Sequence, residues 1–274
     1  MYKSNREAQG RAVKKFVLVG LSLITFNVVG PALAADVPVD PVYPGSIGPG
    51  YGVPVPVAYN WTGFYIGANL GGHFPRDEIG NSFFGFVAPD EFVDTTSATS
   101  LSPKGVIAGM QIGYNWHVGR MFVGLEFDAN WLSGSATGSV SLPVFTPADV
   151  MTNTVKGQFL TTVRPRVGVV LDRWLIYATG GLAFETFITN DTFTVTGGVT
   201  GGLDKRNTRT GETIGLGVEY AVLDSWTLKA EYLYLNYGSF DTFIPTLPIT
   251  VHHQIVDNVA RIGINHRFPV YWKY

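Results

Sequence analysis

The strongest constraint on this chain is the spacing of its apolar residues, which recur at every second position in eight separate segments. A period of two is the signature of a strand, because successive side chains point to opposite faces. In the first segment, 63–72, Phe64, Ile66, Ala68 and Leu70 share one face, while Tyr65, Gly67, Asn69 and Gly71 share the other. The second, 104–117, sets Val106, Met110, Ile112 and Trp116 against Gly109, Gln111, Gly113 and Asn115. The third, 121–132, sets Val123, Leu125, Phe127 and Trp131 against Glu126, Asp128 and Asn130. The same alternation marks 157–171, 174–187, 211–222, 226–237 and 255–268.

The connections between these segments alternate in length. Residues 73–103, 133–156, 188–210 and 238–254 are long, whereas 118–120, 172–173 and 223–225 are short. Segments of about ten alternating residues, an even strand number, and long connections at one end with tight turns at the other describe a transmembrane β-barrel of the bacterial outer membrane. The expectation is therefore an all-β chain: an eight-stranded antiparallel transmembrane β-barrel, an up-and-down meander over 61–268 with both termini periplasmic. A soluble sandwich would bury the apolar face and gives no reason for the strict alternation of loop length. Trp61, Trp116, Trp131, Trp174, Trp226, Tyr232, Tyr234, Tyr237 and Phe268 fall near segment ends, where aromatic girdles meet the headgroups.

Composition agrees. Only 15% of residues are charged and 14% are aromatic, against about 25% charged in a typical soluble domain. The net charge of −2 gives no electrostatic case for binding nucleic acid. The chain contains 0 cysteines, which excludes disulfides, thiolate metal sites and a cysteine nucleophile.

Residues 1–34 have the layout of a cleaved export signal. Lys3, Arg6, Arg11, Lys14 and Lys15 precede an apolar run from Phe16 to Val29, and Ala32-Leu33-Ala34 supplies a small-x-small cleavage site. The apolar run is short for a helical anchor, which needs about 20 residues. Residues 35–60 carry Pro38, Pro41, Pro44, Pro49, Pro54 and Pro56 and are expected to form an extended periplasmic linker. Residues 269–274 form a short tail.

Several strand motifs carry a family likeness. Tyr59-Asn60-Trp61-Thr62-Gly63-Phe64-Tyr65-Ile66-Gly67, the GMQIGYNW run at 109–116, Gly124-Leu125-Glu126-Phe127-Asp128, Arg164-Pro165-Arg166-Val167-Gly168 and Lys229-Ala230-Glu231-Tyr232-Leu233-Tyr234 resemble the small outer-membrane barrels of alphaproteobacteria. These are the RopB-type outer-membrane immunogenic proteins, within the OmpA-like barrel superfamily. The resemblance spans about 60–268. It implies an abundant surface antigen of the bacterial cell outer membrane, with outer-membrane lipids and the barrel-assembly machinery as partners and lipopolysaccharide as a further candidate. Haem binding has been attributed to some relatives, so a surface haem-binding receptor is one alternative and a small diffusion porin another. The family commonly ends in an aromatic residue that the assembly machinery reads; here Phe268 and Tyr274 compete for that role.

The inward face holds the informative chemistry. Strand parity turns Glu126, Asp128, Glu185, Glu219, Glu231 and Asp257 inward, together with Arg164, Arg166, Lys229, Arg261 and Arg267. An eight-stranded barrel is just wide enough inside for side chains to fill, and buried charges must be paired. A lumen network of Glu126, Asp128, Arg164, Arg166, Glu219, Lys229, Glu231, Asp257 and Arg261 is expected to hold the barrel shut; a gated ion path is the competing reading. A three-residue turn at Leu223-Asp224-Ser225 would set Glu219 opposite Lys229, as a salt bridge. On the sixth segment, Leu216 should face lipid and Gly215 the lumen, where a serine should be tolerated.

No metal, cofactor or enzymatic role is expected. His252 and His253 are adjacent, so on an extended chain they face opposite ways and chelate poorly. Ser133, Ser135 and Ser139 lie in a Gly-Ser-rich stretch with no base to activate them. Asp77, Glu78, Asp90, Glu91 and Asp94 against Arg76 would make the first long connection an acidic, solvated lip.

Overall fold

A computed structural model describes residues 59–88, 91–195, 200–244 and 249–269. The expected export signal, nearly all of the linker, and Tyr274 with the tail beyond Pro269 lie outside the described residues. What is described is an antiparallel β-sheet of eleven strands. They are β1 (Gly63–His73), β2 (Arg76–Ala88), β3 (Glu91–Leu101), β4 (Gly105–Val118), β5 (Met121–Leu132), β6 (Ser135–Ser141), β7 (Val150–Leu171), β8 (Trp174–Thr194), β9 (Thr200–Ala221), β10 (Trp226–Ile244) and β11 (Ile249–Pro269).

β1 is hydrogen-bonded on one side to β4 and on the other to β11. The pairings thus run in a ring through β1, β4, β5, β7, β8, β9, β10 and β11. Closure removes every free edge from this part of the sheet. The tight turns are the expected ones; Gly119 and Asp172 adopt φ of 64° and 54°, the left-handed conformation that two-residue hairpins require. Gly63 at the start of β1 and Pro269 at the end of β11 pair at the same end of the ring as these turns, called here the proximal end.

Three strands were not expected. β2 and β3 occupy the 73–103 connection and β6 the next one, and β7 to β11 run well past the expected distal limits. These stretches are rich in Ser, Thr and Asn on the outside, so they lack the apolar alternation that betrays a membrane strand. β2 pairs with β11 and β6 with β7.

The proximal and distal halves have opposite polarity. Proximally the outward side chains are apolar and exposed, Leu216 (66%), Ile262 (67%) and Met110 (59%) among them, and the buried ones are charged. Distally the outward positions carry Thr137, Ser139, Thr152, Thr154, Thr186 and Thr208, several in hydroxyl pairs of 2.9–3.0 Å. There the buried side is apolar: Ile79, Phe83, Met151, Val155, Phe187, Phe193, Phe240, Ile244 and Val251 share one cluster. Aromatic pairs mark the lower limit of the apolar band, with Trp174–Tyr220 and Tyr114–Trp116 centroids both 4.6 Å apart and Phe64–Phe268 at 5.8 Å. Trp131 and Phe159, 5.8 Å apart, mark the upper limit. Trp61 and Tyr237, expected from sequence to join these girdles, are instead buried. Trp61 precedes β1 and turns into the proximal mouth, packing with Phe122, Val170, Leu175 and Tyr177, and its Nε1 donates to the Asp172 carbonyl at 3.3 Å.

The parity of β9 holds, with Leu216 outward and Gly215 inward, but the expected tolerance at Gly215 does not. A Cβ there would sit 2.3 Å from the Tyr232 carbonyl oxygen and 2.5 Å from Leu233 Cδ2. Leu216→Arg should cost about 2–4 kcal/mol, whereas Thr208→Arg, outward on the same strand but distal to the band, should change stability by less than about 0.5 kcal/mol. Urea titration of refolded protein in lipid vesicles measures both; equal losses would place the band elsewhere.

Candidate functional site

The proximal lumen is filled by charge. Four carboxylates and four cations, each with a side chain at most a few per cent exposed, interlock across the ring. Arg164 is central: its Nη2 donates to Glu126 Oε1 and Asp128 Oδ2, both at 2.7 Å, and reaches Glu231 Oε2 at 3.2 Å. Arg261 Nη2 meets Asp128 at 2.9 Å and Glu231 at 2.6 Å. Lys229 Nζ donates to both oxygens of Glu126 at 2.9 Å. Arg166 Nη2 donates to Glu219 at 2.8 Å, and its guanidinium lies 3.9 Å from the centre of the Tyr177 ring.

Two tyrosines complete the network. Tyr65 donates to Glu126 at 2.7 Å and accepts from Arg166 at 2.7 Å; Tyr177 donates to Glu231 at 2.9 Å. Inward glycines make room for them. A Cβ on Gly113 would lie 2.3 Å from the Tyr65 hydroxyl, and one on Gly217 2.3 Å from the Tyr177 ring. Sequence reasoning missed both phenols, although the parity that found the charges also turns Tyr65 and Tyr177 inward.

Of the residues expected in the lumen network, the fold brings together Glu126, Asp128, Arg164, Arg166, Glu219, Lys229, Glu231 and Arg261. Asp257 stands apart. It binds His73 Nδ1 at 3.2 Å and the Phe74 amide at 3.0 Å, one layer nearer the distal half. The expected register also holds, with Lys229 opposite Glu219 and Leu228 opposite Tyr220. The expected salt bridge between that pair does not form. Lys229 reaches across the lumen to Glu126 instead, and Glu219 is taken by Arg166, by Asn265 at 2.8 Å and by Thr227. Facing Cβ atoms are neighbours, but in a packed lumen a long lysine stem also reaches strands on the far wall. Arg267, at the proximal mouth, donates to the Asn60 and Thr62 carbonyls at 2.7 and 3.2 Å. Phe268 faces outward beside Phe64 and His266.

A family model described as "Outer membrane protein beta-barrel domain" matches residues 49–268. The chain belongs to this family. The likeness in the strand motifs agrees with the curated relatives of this outer-membrane protein. It is 30% identical to the 31 kDa outer-membrane immunogenic protein of Brucella melitensis, over 77% of this chain and 85% of the relative. It is 27% identical to the 25 kDa outer-membrane immunogenic protein of Brucella abortus, over 94% and 100%. It is also 27% identical to a 22 kDa outer membrane protein of Rhizobium leguminosarum, over 78% and 82%.

In this outer-membrane β-barrel protein a second polar cluster lies within the apolar distal half. As expected, the adjacent histidines face opposite ways. His252 is exposed and contacts Asp241 at 2.6 Å, while His253 is buried. His253 Nδ1 lies 2.8 Å from Asp77 of β2, and its Nε2 lies 3.6 Å from Asp191 of β8. Asp191 also accepts from Asn153 at 2.9 Å, and Asn153 exchanges 3.2 Å bonds with Asn81. Burial alone would lower the His253 pKa; the flanking Asp191 and Asp77 outweigh it and raise it to about 9.

The charge geometry makes two expectations measurable. Glu126→Ala should cost about 3–5 kcal/mol, because it strands buried cations, and the Glu126–Lys229 double-mutant cycle should show coupling above about 1 kcal/mol. The Glu219–Lys229 cycle should show clearly less, since those two groups do not touch. The His253 pKa is raised in the folded state, so the stability it contributes is fully present below its unfolded value of 6.5 and is lost as pH climbs through about 9. Urea midpoints across that window should fall for the native chain and stay flatter for His253→Gln.

Proposed function

We propose that this outer-membrane protein is an integral eight-stranded barrel with both termini in the periplasm. In this reading residues 1–34 are a cleaved export signal, 35–60 a periplasmic linker, 61–268 the barrel and 269–274 a tail, and the distal half stands outside the cell. Its role is that of a structural envelope and surface-interaction protein, with outer-membrane lipids and the barrel-assembly machinery as partners. Phe268, outward at the end of the last strand, is the favoured assembly signal.

The observation that carries this reading is the matched charge in the lumen. Four acids against four bases leave the network with no net formal charge, and their bonds cross the ring from wall to wall. An apolar packed layer lies distal to them, and Trp61 fills the proximal mouth. An aqueous path would have to break each layer in turn. The relatives named as immunogenic outer-membrane proteins support a non-enzymatic role. A small diffusion porin is the alternative that the test separates.

Planar-bilayer recording of purified protein tests the proposal. The native chain should give no sustained conductance, and Glu126→Ala, which loosens the lumen network, should give brief openings. Steady native currents would favour the porin.

A further inference from the structure

The distal half is not a closed ring. β9 and β10 pair only from Thr227–Ala221 up to Asn236–Glu212. Beyond that, Gly238 takes a φ of 66°, and the β10–β11 register slips between Asn236 and Ser239. Distal β10 then follows β11, and distal β9 follows β8. Among the described residues, the edge of β9 from residue 201 to 211 therefore has no strand partner on its β10 side. Such an edge presents a row of unpaired backbone N–H and C=O groups.

Three donor side chains lie along this edge. Lys205, Asn207 and Arg209 recur at every second residue on the inner face of β9, beyond Leu203, which packs on the apolar core. Asn207 Nδ2 and Arg209 Nε are buried with no hydrogen-bond partner. Across the opening, the Arg209 guanidinium rests 3.8 Å from the Phe240 ring centre, a contact that uses none of its N–H groups. The one acid on this stretch, Asp204, is bonded to Asn190 of β8. Donors aligned at strand spacing on an unpaired edge suit a ligand that brings acceptors at the same spacing.

We propose that the distal edge of β9 docks an extended peptide segment of a partner protein, carrying carboxylates at every second residue, as an added strand. The guest's backbone would pair with the free groups of β9, and its carboxylates would meet Lys205, Asn207 and Arg209 from the facing positions. Backbone pairing supplies binding at any sequence; the three donors supply the preference for acid.

The experiment uses the refolded full chain in detergent micelles and a fluorescein-labelled Glu–Thr alternating peptide, read by anisotropy. Saturable binding is expected. A Lys–Thr peptide, and a Glu–Thr peptide N-methylated at alternate residues, should each bind at least about tenfold more weakly. Lys205→Gln with Arg209→Gln should weaken the Glu–Thr peptide by a similar factor while the heat-induced gel shift stays native. Arg206→Gln, which faces the outer surface, should have a small effect. Absence of saturable binding, equal binding of the Lys–Thr peptide, indifference to N-methylation, or no loss in the double variant would each overturn the proposal.

Discussion

A lipid-exposed backbone cannot leave hydrogen bonds unmade, and the rest of this structure depends on how that requirement is met. β1 closes the ring by pairing with both β4 and β11. Once the ring is closed, its bore is fixed and strand parity decides what fills it. Outward residues in the apolar band are dictated by lipid. The inward ones must fill a narrow space and be mutually satisfied. Matched carboxylates and guanidinium groups, bridged by two phenols, do both.

Above the apolar band the same strands meet water, and the solution inverts. The outer face turns to Thr and Ser, and the inner side becomes an ordinary apolar core in which β2, β3 and β6 take part. The edges need not all be paired there, since water can satisfy them, and the sheet opens between β9 and β10. Its buried polar exception, His253 between Asp77 and Asp191, joins strands from both sides of that core. Two discontinuities accommodate the change of environment. β7 carries a register shift between Gly157 and Phe159, and β10 leaves its register near Gly238. Each reverses which residue parity points inward.

These discontinuities explain which strands could be read in advance. The expected segments began at 157 and ended at 237, the places where parity breaks in β7 and β10. β8 and β9 keep their parity, yet the periodic signal stops short of their distal ends because polar residues occupy both faces. Thr189 and Asp191 point inward while Asn190 and Thr192 point outward. Alternation of polar with polar leaves no periodic signal, although the strand continues.

The sequence by itself determined the strand parity, the tight turns, the apolar band and the identity of the lumen charges. All of these follow from local period and from what lipid demands of an exposed side chain. Partner choice within the lumen was decided only by the tertiary structure. Lys229 is registered with Glu219 but bonded to Glu126, because long side chains in a closed bore see the far wall as readily as the neighbouring strand. The same holds for His73 with Asp257, for the burial of Trp61, and for the open edge of β9. Each depends on where the ring closes and where it parts, and no local pattern in the chain encodes that.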